Sequence, residues 1–331
     1  MKKAFYLHLT GGLGNQLFQL AAGLHFAESL EIRISTKNGK PRKDKNGKPE
    51  IFAWVLPSQV TALNSARYST FVSRVCGFII RISANPRRFE KNRVINFGIR
   101  FIASIINSIY FRYPVRIMKV DGVGYVGSRT NANLMLGYYQ TFKYAEQPHV
   151  FKKLNSLKLE NPSDQIANLI NASKDESPII VHIRRGDYAK ESGFGMLGNQ
   201  YYVEAVRDLI SMNEYKSIWV FSDEISKVVD VFGDNFELPI RYIGDIDESA
   251  SALLEVMRYG KGYVIGNSSF SWWAAYLRYD KEAKVVAPIP WFAQQSDPNE
   301  LIPRDWRRQP GHHFFTSPLE LEREKEHLDD V

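Results

Sequence analysis

The stretch PIIVHIRRGDY, residues 178–188, decides the fold of this chain. Its β-branched apolar side chains within 179–183 are typical of a buried parallel strand, and a helix-like pattern follows at 202–212. Ligands of open α/β sheets bind in the crevice outside the carboxyl ends of the strands. The polar residues at the end of this strand are therefore predicted to face a ligand: His182, Arg184, Arg185 and Asp187.

Two adjacent arginines at a strand end suit an anion with several oxygen atoms. Each guanidinium offers a planar fork of donors and stays charged at physiological pH. The alternative is an ordinary strand end, in which a solvated arginine pair lies beside an aspartate partner. The four polar residues alone leave both interpretations open.

Length and composition indicate a globular protein of two domains. The chain has 331 residues, 44% of them hydrophobic and 24% charged, and we predict domains 1–155 and 156–331. Cys76 is the single cysteine, which excludes an intramolecular disulfide and a cysteine metal cluster. Residues 1–14 fit neither a signal peptide nor a spanning helix, so a cytoplasmic location is expected.

Positive charge is concentrated in a basic segment, residues 65–119, that is predicted to be helical. From 67 to 119 it holds eleven basic residues and one acid, Glu90, within a chain of net charge +7. Solvated helix faces over a core and contact with an anionic membrane surface are both open interpretations. No helix-turn-helix, zinc-finger or RNP signature accompanies the charge, so we expect no nucleic-acid partner.

The N-terminal region reads as a strand, a glycine loop and a helix. Residues 5–9 are strand-like, Gly11-Gly12-Leu13-Gly14-Asn15-Gln16 follows, and apolar residues then recur at helical spacing. Such a loop lets backbone approach a ligand, and the start of the helix favours negative charge. The alternatives are a turn kept only for packing, and Asn15 and Gln16 acting as helix caps.

Further strands are predicted at 217–223, 240–243, 263–265 and 285–288, so that three polar strand ends would converge on one crevice. Asp223 could accept hydrogen bonds from guanine, or cap a helix over 225–232. Ser268 and Ser269, at a helix start, suit phosphate or simple capping. No pair of carboxylates of the DxD type stands at a strand end, so the pattern favours a nucleoside diphosphate site without metal.

Four blocks of sequence carry a family resemblance. GGLGNQLFQ at 11–19, HIRRGD at 182–187, FSDE at 221–224 and GNSSFSWWAA at 266–275 closely resemble, in order and spacing, the motifs of α-1,2-fucosyltransferases. The HxRRxD block is shared with α-1,6- and protein O-fucosyltransferases. The first and last blocks resemble the α-1,2 group specifically.

This resemblance implies an α/β fold of the GT-B type, with two Rossmann-like domains facing a central cleft. It further implies an inverting, metal-independent transferase without cofactor, which moves L-fucose from GDP-β-L-fucose to the 2-hydroxyl of a terminal galactose. Residues 1–155 would form the acceptor side and 156–331 the GDP-fucose side. The expected setting is surface polysaccharide (O-antigen) assembly on a lipid-linked or soluble glycan, in the cytoplasm or peripherally on the inner face of the plasma membrane.

The resemblance also implies roles for individual residues. Arg184 would bind the β-phosphate, His182 would contact the nucleotide, and Arg185 would support the site or the diphosphate. Asp223 would read guanine. Pyrophosphate would be held by Ser268, Ser269 and Phe270, and the donor sugar and acceptor would meet Gly12 and Asn15.

The general base is left between Asp187 and Glu191, although we favour an orienting role for Asp187. Two alternative functions also stay open. One is a transferase that uses another sugar nucleotide on the same fold. The other is a non-enzymatic peripheral membrane protein that binds polyanions through residues 67–119.

Overall fold

A computed structural model describes residues 4–35, 41–62, 117–120, 122–127, 134–186, 195–244, 246, 248–293, 296–311 and 314–315. The described residues form two compact units, the first from 1–49 and 56–156 and the second from 50–55 and 157–331. Residues 50–55 thus belong to the second unit, where Trp54 pairs with Leu159. The division into 1–155 and 156–331 does not include this crossing, and it stays a prediction.

The first unit is built on a parallel sheet of five strands. In chain order they are β1 (Ala4–His8), β2 (Glu31–Ser35), β3 (Val60–Ala62), β4 (Ile117–Val120) and β5 (Leu134–Gly137). Their order across the sheet is β3-β2-β1-β5-β4, and every pairing is parallel. Among the described residues of this unit, three helices accompany them: α1 (Leu13–Ala27), α2 (Phe142–Ala145) and α3 (Pro148–Asn155). The predicted strand, glycine loop and helix at the N-terminus are confirmed as β1, loop and α1.

The second unit contains the remaining strands, β6 (Ile179–Ile183), β7 (Met196–Leu197), β8 (Ile218–Ser222), β9 (Ile240–Ile243), β10 (Gly262–Ile265), β11 (Lys284–Ile289), β12 (Arg307–Pro310) and β13 (Phe314–Phe315). Six of them form a parallel sheet in the order β12-β11-β10-β6-β8-β9, and β7 pairs with β13 antiparallel. Its helices are α4 (Asp164–Glu176), α5 (Asn199–Met212), α6 (Ala250–Met257) and α7 (Ser269–Tyr276). The predicted α/β fold class is confirmed, since each of the two units has a parallel sheet with helices, as in Rossmann-like domains.

Strand β6 lies at the centre of the second unit. Four of its five side chains are apolar, and the fifth, His182, is buried with them. Each is buried, and helix α5 packs on the strand through Tyr202, Val206 and Leu209, which recur at helical spacing. The Tyr201 hydroxyl donates to the Ile265 carbonyl at 2.7 Å, which ties α5 to β10 as well. Full burial of a large apolar side chain stabilises a fold by about 1.5–3 kcal/mol, so this contact fixes the central strand firmly.

Two sequence predictions about helices need correction. The helix predicted over 225–232 is only a short 3-10 turn, Ile225–Lys227. Valines at 228, 229 and 231 follow, and β-branched side chains lose rotamer freedom in a helix. The basic segment 65–119 lies outside the described residues except at 117–119, which belong to strand β4 rather than to a helix because they pair with β5. None of the described helices is both long enough and apolar enough to cross a bilayer.

Candidate functional site

Three neighbouring strands of the second unit, β10, β6 and β8, end at the same edge of the sheet. The Gly266 amide after β10 donates to the His182 carbonyl in β6 at 3.1 Å. The Arg184 guanidinium after β6 meets the Asp223 carboxylate after β8 at 3.0 Å. The predicted convergence of three polar strand ends is therefore present in the structure, and it is built from these parallel registers.

Arg184 is partly open to solvent. Its side chain is 17% exposed and that of its ion-pair partner Asp223 is 24% exposed. A charge in this position is screened less than one on the open surface, yet a ligand can still approach it. Arg184 is therefore placed where an anionic ligand could reach a partly desolvated guanidinium.

Arg185 is buried, at 3% exposure, and holds protein groups. Its Nη1 donates to the Leu197 carbonyl and its Nη2 to Asn199 Oδ1, both at 2.9 Å. The guanidinium also lies 5.8 Å from the ring centre of Tyr202. Of the two roles that the resemblance implied for Arg185, these contacts favour support of the site, because the side chain fastens the start of α5 beneath the strand ends.

Asp223 faces the two arginines. Oδ1 accepts the backbone N–H of Arg185 at 3.0 Å, and Oδ2 pairs with Arg184. The alternative that Asp223 caps a following helix is wrong, because the turn at 225 has no side-chain cap. The hydroxyl of Ser222 accepts the N–H of Glu224 instead. The guanine-reading role that the resemblance gave to Asp223 stays a prediction.

His182 is a buried, neutral imidazole at the end of β6. It is 4% exposed and its ring centre lies 5.4 Å from that of Phe270. Burial and, to a smaller extent, the charge of Arg184 lower the pKa of His182 to about 4, against the opposing effect of Asp223. Nδ1 is buried without a hydrogen-bond partner among the described residues.

The start of α7 supplies the third side of the site. Ser268 is the N-cap, and its Oγ accepts the N–H of Phe270 at 3.3 Å. Ser271 Oγ donates to the Ser268 carbonyl at 3.2 Å, which stiffens the turn. Ser269 is half-buried. The capping interpretation is thus confirmed for Ser268, and the pyrophosphate role of Ser268, Ser269 and Phe270 stays a prediction.

The glycine loop of the first unit is held by amide side chains. Gly11 has a φ of +75°, which glycine adopts readily, and the amide of Asn15 lies against it. Asn15 Oδ1 accepts a hydrogen bond from Gln140 Nε2 at 2.8 Å. Gly12 precedes α1, which has no side-chain cap, so the capping alternative for Asn15 and Gln16 is wrong. The ligand-facing roles of Gly12 and Asn15 stay predictions.

Several buried amides make contacts that the sequence did not predict, and these contacts shape both regions. Gln16 Nε2 donates to the carbonyls of Gly11 and Arg42, each at 3.0 Å. Gln19 Nε2 donates to the Gly137 carbonyl at 2.9 Å. In the second unit Asn267 Nδ2 donates to the Gly195 carbonyl at 3.1 Å. The sequence signal for these contacts is an amide residue within an otherwise apolar stretch.

Asp187 and Glu191, the candidates for the general base, lie outside the described residues. Within the part of the chain that the structure describes, no group of three or more His, Cys, Asp or Glu residues is arranged to hold a metal ion.

Comparisons with known proteins found similar glycosyltransferases. An Escherichia coli α-1,2-colitosyltransferase is 26% identical over 91% of this chain and 97% of its own length. The O-antigen biosynthesis glycosyltransferase WbnK of E. coli is 25% identical, over 87% of this chain and 95% of its own. The crystal structure of the fucosyltransferase NodZ from Bradyrhizobium superposes with a TM-score of 0.46 at 14% identity, over 83% of this chain and 92% of that one.

The model of glycosyl transferase family 11 matches residues 101–306. This range is more than half of the chain and contains the three motif blocks of the second unit. The family resemblance of the motifs is thereby confirmed. The chain belongs to glycosyl transferase family 11.

Proposed function

We propose that this protein is a galactoside 2-α-L-fucosyltransferase, which moves L-fucose from GDP-β-L-fucose to the 2-hydroxyl of a terminal galactose. The observation that carries the proposal is the meeting of three adjacent strand ends, which bring together His182 and Arg184 from β6, Asp223 from β8 and the start of α7 after β10. A diphosphate needs fixed positive charge and backbone donors at one place, and this edge offers both. The O-antigen role of the relative WbnK extends the proposal to O-antigen assembly.

In this proposal the second unit stabilises the departing GDP. The 2-hydroxyl oxygen attacks the anomeric carbon of fucose, and the bond from that carbon to the β-phosphate oxygen breaks with its electron pair on GDP. Arg184 and the N-terminus of α7 offset the growing negative charge, with charge-assisted bonds contributing about 1.5–3 kcal/mol each. We propose that no metal ion takes part. The proton of the acceptor goes to a carboxylate, for which sequence offers Asp187 and Glu191.

A second donor is favoured by one specific observation. The 26%-identical relative is an α-1,2-colitosyltransferase, so a GDP-linked deoxysugar other than fucose is a candidate for this chain. Colitose lacks the 3-hydroxyl of fucose. A site that hydrogen-bonds this hydroxyl would reject colitose strongly, whereas a site without such a bond would accept both sugars.

The test is transfer from GDP-fucose, GDP-colitose, GDP-mannose and UDP-galactose to lactose, N-acetyllactosamine and Galβ1-3GalNAc, with and without chelator. We expect GDP-fucose to be preferred, an α-1,2 linkage in the product, and no loss of rate with chelator. Preference for GDP-colitose would replace the donor. Preference for GDP-mannose or UDP-galactose would overturn the proposal, and loss of activity with chelator would overturn metal independence.

We further propose that the acceptor is lipid-linked and that the protein works at an anionic membrane surface. The net charge of +7, concentrated in residues 67–119, supports this part of the proposal. Sedimentation with vesicles of neutral lipid, or of neutral lipid with a third of anionic lipid, tests it. Binding that needs the anionic lipid and weakens in high salt is expected, and equal sedimentation with both vesicles would contradict it.

A further inference from the structure

Residues 41 and 42 lie against the glycine loop of the first unit. Pro41 pairs with Gly11 in a short parallel bridge, and the Arg42 N–H donates to the Gly11 carbonyl at 2.8 Å. The Arg42 carbonyl accepts Gln16 Nε2 at 3.0 Å, and the Gln16 side chain is fully buried. The backbone of Arg42 is therefore fixed through both its N–H and its carbonyl, beside the loop that follows β1.

The side chain of Arg42 is exposed and lies flat over Gly12. A Cβ atom at Gly12 would lie 3.8 Å from Nη1, 3.9 Å from Cζ and 4.0 Å from Nε of Arg42. These nearly equal distances place the face of the guanidinium over the glycine. The N–H groups of a guanidinium lie in its plane, so they point past Gly12. Among the described residues, no carboxylate pairs with this guanidinium.

The basic hairpin, residues 41–49, uses its single acidic residue for its own turn. Asp44 Oδ1 accepts the N–H groups of Asn46 and Lys48, each at 2.9 Å, and the Asp44 N–H donates to the Lys48 carbonyl at 2.8 Å. The net charge of these nine residues is +3. The four basic side chains are all exposed: Arg42, Lys43, Lys45 and Lys48. The positive charge beside the glycine loop is therefore not neutralised within the hairpin.

A neutral acceptor would make no ion pair with a cation fixed at this place. Galactose carries no charge, and in the proposed function the diphosphate of the donor is bound by the second unit. A guanidinium matches the oxygens of a phosphate or a carboxylate, and a charge-assisted hydrogen bond is about twice as strong as a neutral one. The charge of Arg42 thus fits an oxyanion that belongs to the acceptor itself.

We propose that Arg42 binds an oxyanion of the acceptor, a phosphate or a carboxylate close to the terminal galactose, and so selects anionic acceptors over neutral ones. This inference rests on the proposed function, and on the acceptor-facing role predicted for Gly12 and Asn15. It adds a substrate class to that function. The acceptor is a glycan that is negatively charged next to its galactose, through a lipid diphosphate or through an acidic sugar.

The first test compares three acceptors that share a terminal galactose. They are the octyl glycoside of N-acetyllactosamine, the octyl diphosphate of the same disaccharide, and the octyl glycoside of galactosyl-glucuronic acid. With GDP-fucose, at least one of the two anionic acceptors should have a kcat/KM about tenfold or more above that of the neutral one, mainly through a lower KM. Which anionic acceptor is preferred identifies the source of the charge. Equal kcat/KM for all three would overturn the proposal.

Two variants separate a fixed site from general attraction by positive charge. Arg42→Gln keeps the backbone contacts and should reduce the ratio of anionic to neutral kcat/KM to less than about twofold. Lys45→Gln removes an equal charge at the turn of the hairpin, and as the matched control it should keep the wild-type ratio. An equal fall of the ratio in both variants would overturn the proposal. An equal loss of rate with neutral and anionic acceptors in Arg42→Gln would also overturn it.

Calorimetry without donor separates this inference from the proposed function. The neutral octyl glycoside and the preferred anionic acceptor are titrated into wild type and Arg42→Gln, with saturating GDP so that the anion does not occupy the nucleotide site. Wild type should bind the anionic acceptor about tenfold more tightly, and Arg42→Gln should show no preference. Lack of preference in wild type would overturn the inference even if fucose is transferred. A preserved preference without fucose transfer to any acceptor would instead overturn the proposed function.

Discussion

The glycine loop of the first unit and the strand-end site of the second are both rigid, but they are held by different chemistry. Neutral amides fix the loop: Gln16 and Gln19 bond to backbone carbonyls, and Gln140 bonds to Asn15. Charged groups fix the strand ends, through Arg184 with Asp223 and through the buried Arg185. Amide contacts do not titrate or respond to salt, whereas the strand-end site can answer to charge on a ligand.

The largest expected effect is the loss of stability of both units in acid. Burial lowers the pKa of His8 in the first unit and of His182 in the second to about 4, below the ordinary 6.5. The unfolded chain then binds more protons below pH 6.5, so stability is full above that pH and falls toward pH 4. Each of the two histidines should lower the free energy of unfolding by about 3 kcal/mol at pH 4. Urea unfolding at pH 4.5 and at pH 7 measures this loss of stability. The difference in unfolding free energy between the two pH values should be smaller in His8→Phe or His182→Phe.

Removal of the Arg185 side chain should destabilise the second unit. Arg185→Ala removes two buried hydrogen bonds, to the Leu197 carbonyl and to Asn199, so we expect a loss of about 3 kcal/mol in the free energy of unfolding. Urea midpoints give the change. Arg207→Ala is the control. That exposed side chain bonds to Asn235 and lies over the ring of Phe236, and its loss should change stability by less than about 0.5 kcal/mol. Equal stability of both variants would contradict the contrast.

Arg184 should matter for the reaction rather than for the fold. Arg184→Ala removes charge-assisted bonds to the departing diphosphate, so kcat/KM for GDP-fucose should fall about a hundredfold. Its effect on unfolding should stay within about 1 kcal/mol because the pair with Asp223 is partly exposed. Initial rates and urea midpoints measured on the same preparation decide. A large stability loss without a rate loss would reverse the roles of the two arginines.

The smallest effect is expected in the glycine loop. Gln19→Ala leaves the Thr10 amide and the Gly137 carbonyl unpaired, which should cost about 2 kcal/mol. The exposed Gln165→Ala on α4 is the matched control and should be close to neutral. Because these contacts are neutral, the loss should be equal in low and high salt. A salt-dependent loss would show that charge also holds this loop.

Local patterns predicted the parts that depend on local chemistry. Apolar runs predicted β6, β8 and β10 to within one or two residues, and parallel geometry then placed Arg184 near Asp223. Long-range polar contacts were not predicted, because Arg185 and Asn199 share no periodicity that marks them as partners. A Cβ atom at Gly186 would lie 2.4 Å from Asp223 Oδ2, and a close approach of this kind cannot be predicted from the sequence alone.

Residues 50–55 are synthesised early, but their partners in the fold come much later in the chain. Trp54 donates to the carbonyl of Ser251, which leaves the ribosome almost two hundred residues later, and Ser251 bonds back to the carbonyl of Glu50. During translation, residues 50–55 can form these contacts only after helix α6 has been synthesised. A gene fragment that starts at residue 157 would therefore encode a domain that lacks one of its own buried tryptophans, and the two halves cannot be separated by a single cut.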